Sequence, residues 1–324
     1  MSCSIKESTE NGIKFLHLEN DILKITVLVG KGSEIYEIIF KEKDMDILLK
    51  VKDGLSQYKG RNLYEKPLTW YSELFTGGWM DVVPDKGIYK DVEIKQENSG
   101  VAATMPWDYQ VLKDTDEEIK IKCFVKLPLI PLLIEKEIGL KEKESKVYIK
   151  ERLKNVGDAE AKFTWTQHCA FGGGFLDENV FIGMPTEKAF RAWDYTKENG
   201  TDEEMYEENI NSVTLDKDTK INLLRVRPNI YDEQVFVTIR NLKEAKFTMF
   251  NEKKGIGFSM TWDKVTFPYL RYWYRNSKDT YTVAIEPSNT YSDGFKNSLK
   301  RDTYLNLLPQ EEISTWLECD IFER

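Results

Sequence analysis

Histidine is almost missing from this 324-residue chain: His17 and His168 are the two present. Any mechanism built on imidazole therefore has at most two actors. Cysteine is scarce as well. Cys3, Cys123, Cys169 and Cys319 lie far apart, with no CxxC pair and no Cys/His cluster at zinc spacing. That excludes a structural zinc site and a disulfide scaffold, and reads as buried reduced thiols. The longest apolar run, Leu127 to Ile134, is broken by Pro128 and Pro131. It falls far short of the roughly 20 residues that span a bilayer. Residues Met1 to Glu7 carry no apolar leader. The chain is expected to be soluble and cytoplasmic, with no membrane partner. Positive charge is in deficit: 46 Lys and Arg against 55 Asp and Glu leave a net charge of −9. No nucleic-acid partner is expected on that balance. Gly77-Gly78 and Gly172-Gly173-Gly174 lack the lysine and helix start of a phosphate loop. No Gly-x-Ser-x-Gly elbow occurs, and carboxylate pairs such as Glu203-Glu204 lack metal-site spacing.

What the chain does have is apolar mass in a two-residue period. The hydrophobic fraction, 41%, suffices for a large core. Leu23, Ile25, Val27 and Val29 alternate with other residues, as do Ile119, Ile121, Cys123 and Val125, and Ile313, Thr315, Leu317, Cys319 and Ile321. This is the pattern of half-buried strands. Turn residues separate the runs at Asn20-Asp21, Gly30-Lys31-Gly32, Asn155 to Asp158 and Glu252 to Gly255. Long stripes at helical period are nearly absent, the best short candidate being Thr201 to Asn209. The irregular stretch Lys50 to Pro84 reads as connections over one end of a sandwich, where sites tend to sit. We expect an all-β protein, a large antiparallel β-sandwich with few short helices, forming one domain over residues 1–324.

Two strand ends carry ionisable side chains on small, polar faces. Alternation groups Thr164, Thr166 and His168 on one face and Phe163, Trp165 and Gln167 on the other. Likewise Thr282, Ala284 and Glu286 share a face opposite Tyr281, Val283 and Ile285, and Pro287 follows. A histidine and a glutamate so placed suit the floor of a wet groove, whereas His17 reads as an ordinary edge histidine. Most of the tryptophans should serve the core; some, Trp79 and Trp107 among them, are candidates to stack on a sugar ring.

In this order the motifs resemble the aldose 1-epimerase (galactose mutarotase-like) superfamily, as a divergent branch. Gly32-Ser33-Glu34-Ile35 and Asp46-Ile47-Leu48 resemble its opening hairpin. Gly77-Gly78-Trp79 through Pro84 is similar to its Gly-Gly-Trp loop, and Met105-Pro106-Trp107-Asp108-Tyr109 to its Pro-Trp-Glu-Tyr strand start. Gln167-His168-Cys169-Ala170-Phe171-Gly172 resembles the His-Pro-Ala-Phe-Gly segment. Phe267-Pro268-Tyr269-Leu270, Ala284-Ile285-Glu286-Pro287 and Leu308-Pro309-Gln310-Glu311 resemble the closing strands. The resemblance implies a concave sugar-binding face, a free sugar as ligand and anomer interconversion without a cofactor. It implies Glu286 as base and His168 as acid on opposite sides of one sugar, both facing one groove within about 12 Å. It further implies Asp232 as a binder of sugar hydroxyls and Arg61 as the early-loop arginine. Ser99 stands where the family commonly has a second histidine. Two alternatives accompany this reading: a non-catalytic carbohydrate-binding protein, and an isomerase for a phosphorylated or acidic sugar held by Arg271, Arg275 or Arg191.

Overall fold

A computed structural model describes residues 2–59, 74–94, 99–193, 201–215, 219–291 and 295–324. Strands dominate, and among the described residues the α-helix is a single short one, Phe295–Arg301. No described helix is long and apolar enough to cross a membrane.

Among the described residues two large antiparallel sheets, one of twelve strands and one of eight, make up most of the structure, beside a four-stranded and a two-stranded sheet. In the larger sheet the N-terminal strands Ser4–Glu10, Ile13–Glu19, Leu23–Leu28 and Glu34–Phe40 run in sequence order from one edge. There follow Trp79–Val82, Thr166–Phe171, Tyr281–Ser288, Tyr269–Asn276 and Glu233–Ile239, so the middle of the sheet joins segments distant in sequence. The eight-stranded sheet is centred on Leu132–Lys141, Lys146–Asn155 and the C-terminal strand Glu312–Glu323. Period two decides which residues meet between the sheets. Cys169, Phe171, Val283 and Ile285 of the larger sheet, with Trp165 just before its strand, join Ile119, Ile121, Ile149, Leu317 and Cys319 of the smaller in one buried cluster. All four cysteines are free and buried.

The segment Thr201–Asn209, the best helical candidate in the sequence, is instead an edge strand. It pairs antiparallel with Lys188–Trp193 through Lys188↔Asn209, Ala189↔Glu208 and Phe190↔Glu207. Pairing along the sheet edge overrides the weak helical preference, and the acidic run suits an edge because like charges oppose further strand addition.

The Gly77-Gly78 turn leads into the Trp79–Val82 strand, and only glycine fits its first position. Gly77 has φ +100°, and a Cβ there would lie 2.1 Å from the Leu49 carbonyl oxygen. Gly77→Ala is expected to lower the thermal unfolding midpoint, by more than the ~1–2 kcal/mol that left-handed backbone alone costs a non-glycine residue. An unchanged midpoint would show that the turn relaxes freely.

Candidate active site

Strand register builds the site. The Thr166–Phe171 strand pairs with Tyr281–Ser288 through Thr166↔Ser288 and Ala170↔Ala284. His168 therefore stands opposite Glu286. On the far side, Tyr269–Asn276 sets Arg271 opposite Glu286 and Trp273 opposite Ala284. One row across three adjacent strands thus reads His168, Glu286, Arg271, on the sheet face turned away from the inter-sheet core.

His168 Nε2 lies 3.4 Å from Glu286 Oε1. Glu286 is 2% exposed and His168 7%. Glu286 Oε1 makes no hydrogen bond within the protein. Burial pushes the Glu286 carboxyl above its usual range, while the charges of His168 and Arg271 pull it back. Burial, with no hydrogen-bond partner at Oε1, thus raises its affinity for a proton.

The surroundings differ on the two sides of the row. Towards Trp273 they are apolar. Ala170 and Ala284 leave room for Leu49, Val51, Phe75 and Trp273. The Phe75 ring stands edge-on to His168 at 5.3 Å and to Trp273 at 6.2 Å. The other side is polar. Arg271 Nη2 donates to Asp85 Oδ2 at 2.9 Å and to the Tyr291 carbonyl at 3.1 Å. Burial raises the Asp85 carboxyl, but the charges of Arg271 and Lys86 outweigh it and hold the group below its ordinary value. Ser99 bonds to the Asp85 carbonyl oxygen, and its Oγ lies 3.1 Å from Asp85 Oδ1. A chain Ser99–Asp85–Arg271 therefore ends beside Glu286.

The candidates from the sequence scatter. His168 and Glu286 come together, side by side rather than across a ligand from one another. Ser99 is fully buried and reaches the row only through Asp85. Trp79 is fully buried in the inter-sheet core, where its Nε1 donates to Gln167 Oε1 at 2.8 Å. Trp107 is also in that core, with Nε1 donating to the Ala102 carbonyl at 2.9 Å. Neither indole faces the His168–Glu286 row, because alternation turns Trp79 inward with Cys169 and Phe171. Asp232 is exposed and paired with Arg275 at 2.9 Å. Arg275 lies four residues along its strand from Arg271, roughly 13 Å at strand rise, so Asp232 sits apart from the row. Arg61 falls outside the described residues. His17 is held between Ser8 and Thr26 in the N-terminal strands.

Asp85 and Phe75 were not singled out in the sequence. Arg271 was, but only as an anion binder. Its stronger signal lies in Tyr269, Arg271, Trp273 and Arg275, which share one strand face and set a cation at mid-sheet.

Residues 126–321 match the family described as a domain of unknown function, DUF4432. Among proteins of curated function, none matches the sequence. Among solved structures, a galactose mutarotase-like protein from Clostridium acetobutylicum is 14% identical, with TM-score 0.71 and coverage of 100% of this chain and 99% of that one. A Klebsiella pneumoniae protein provisionally described as an aldose 1-epimerase is 17% identical, with TM-score 0.69 over 98% of this chain and 83% of that one. A galactose mutarotase related enzyme from Lactobacillus acidophilus is 15% identical, with TM-score 0.63 over 95% and 97%. At these identities the likeness is one of fold: the chain has the galactose mutarotase-like β-sandwich.

Proposed function

The chain belongs to the DUF4432 family, and on that premise we propose that it is an aldose 1-epimerase-like isomerase acting by general acid–base ring opening. The same reading takes residues 1–324 as one domain of the galactose mutarotase-like superfamily. The observation that carries it is the 3.4 Å contact of His168 with a buried Glu286, on the outer face of this sheet.

The chemistry needs two proton carriers for two oxygens bonded to the same carbon. Glu286 takes the proton of the anomeric hydroxyl. His168 gives a proton to the ring oxygen, the bond from that oxygen to the anomeric carbon breaks, and an open-chain aldehyde results. The carbonyl turns, and the steps reverse with the opposite face attacked. Because both oxygens sit on one carbon, adjacent rather than opposed groups can serve them. Trp273 and Phe75 offer apolar surface to the C–H face of a sugar, and Arg271 keeps Glu286 ionisable in a buried place. Asp85 already meets the Arg271 charge at 2.9 Å, which favours a neutral sugar over a phosphorylated or acidic one.

Freshly dissolved α-glucose or α-galactose, followed by polarimetry, should approach anomeric equilibrium faster with the protein than in buffer. A sugar that binds without any acceleration would instead mark a binding protein. The base must be ionised, so the acid limb of the rate profile should lie above the 4.5 of an ordinary glutamate. Arg271→Met removes a cation from beside Glu286 and should move that limb to still higher pH. A limb at or below 4.5 would remove Glu286 from the role.

A further inference from the structure

The interior of the sandwich holds a charged group that sugar chemistry does not use. Lys136 occupies an inward position of its strand, between Ile134 and Ile138, and is fully buried. Its cross-strand partner is Glu151, 2% exposed. From the opposite sheet comes Asp81, also fully buried. Lys136 Nζ lies 2.7 Å from Asp81 Oδ2 and 3.6 Å from Glu151 Oε1. Asp81 Oδ1 accepts two hydrogen bonds, from Trp165 Nε1 at 3.0 Å and Gln167 Nε2 at 2.5 Å. Gln167 Nε2 also donates to Glu151 Oε2 at 2.8 Å. The Trp79 ring closes the group, 6.0 Å from the Lys136 ammonium.

We propose that Lys136 and Asp81 condense to an intramolecular isopeptide bond that ties the two sheets together, with Glu151 carrying the proton between them.

Each part of an acyl transfer is in place. Lys136 Nζ is the nucleophile. Trp165 and Gln167 aim two N–H donors at Asp81 Oδ1, the oxygen on which negative charge grows as the carbon becomes tetrahedral. The Nζ–Cγ bond forms and the Cγ–Oδ2 bond breaks. An ammonium holds three protons; the amide keeps one and the departing oxygen leaves with two, as water. No oxidant or co-reactant is needed. Burial and the Asp81 charge push the Glu151 carboxyl well above its usual range, which makes it the protonated member that hands a proton to Oδ2 and takes one from Nζ. Burial pulls the Lys136 ammonium down, but its acidic neighbours, Asp81 first, outweigh it and hold it above its ordinary value. A proton relay is therefore required before attack, and Glu151 is the neighbour able to supply it.

The direction of reaction follows from solvation. A charged pair held without water is costly even when well matched. Condensation turns that pair into a neutral amide and expels one water. The two groups are held in contact by opposite sheets, so little orientational freedom remains to be lost.

The test uses the full-length protein. Intact mass under denaturing conditions should be lower than the sequence mass by one water, and digestion should yield a branched peptide joining the Asp81 and Lys136 segments. Glu151→Gln, nearly equal in size, should restore the full mass and the separate linear peptides while unfolding cooperatively at a lower temperature. Full mass with separate linear peptides from the wild type, after prolonged incubation in the folded state, overturns the proposal. A branched peptide persisting in Glu151→Gln overturns the role of Glu151. Should that variant fail to fold, the wild-type peptide map alone decides.

Discussion

Replacing Glu286 with glutamine should reduce catalysed anomeric equilibration to the buffer rate. The two side chains are nearly equal in size and both hydrogen-bond, so the row keeps its shape. What is lost is the acceptor for the anomeric proton, and general-base catalysis contributes on the order of 10²–10⁴-fold. His168→Asn should fall by a similar factor, since it removes the donor to the ring oxygen while leaving an amide against Phe75. Stability tells this loss apart from unfolding. The folded-state proton affinity of Glu286 is raised above its unfolded value near 4.5. The stability it contributes is full below that pH and fades as pH rises through the raised value. Once ionised, Glu286 therefore weighs against the fold, and at a pH above its raised value glutamine should leave the unfolding midpoint unchanged or slightly higher. A Glu286→Gln protein that stays folded and retains its rate would end the acid–base reading.

The largest loss of stability should come from Glu34→Ala. Lys31 is 1% exposed and Glu34 fully buried. The Lys31 ammonium binds Glu34 and lies 3.0 Å from Thr76 Oγ1, which donates to Glu34 Oε1 at 2.6 Å. Removing the carboxylate leaves an ammonium without water or counter-charge, a loss of about 3–5 kcal/mol. The damage should reach the site, because Thr76 follows Phe75 and precedes the Gly77-Gly78 turn. With Thr76 released, the Phe75 ring loses its seat against His168, and the equilibration rate should drop with the unfolding midpoint. The double variant Lys31→Met, Glu34→Leu should recover most of the stability, since a well-packed apolar pair avoids the desolvation. A single variant as stable as wild type would mean that water reaches Lys31.

The sandwich was legible because alternation is local: each strand announces its inward face without reference to any other. Alternation also brought His168 and Glu286 forward, each closing a small polar face, but their pairing came from the resemblance of Gln167 to Gly172 and of Ala284 to Pro287. Asp85 was not legible, because it lies in the turn after the Trp79–Val82 strand, outside any alternation, and meets Arg271 only once Tyr269–Asn276 lies beside Tyr281–Ser288. Trp79 and Trp107 were open to two readings because an indole suits a core or a sugar equally, and only the direction of the strand decides. The strand at Thr201–Asn209 was hidden by its acidic composition, which carries no alternation. Lys136 and Glu151 carried a signal that passed unused. A charge at the inward phase of an apolar alternation, Ile134-Lys136-Ile138 or Ile149-Glu151-Leu153, must find a partner in the interior.

Thr166–Phe171 offers His168 to one side of its sheet and Gln167, holding Asp81 and Glu151, to the other. A misalignment of this strand by a single residue would swap the two, burying an imidazole among charged groups and leaving an amide beside Glu286. Outer chemistry and inner cohesion thus share one alignment, so a molecule that folds with the wrong one forfeits both at once.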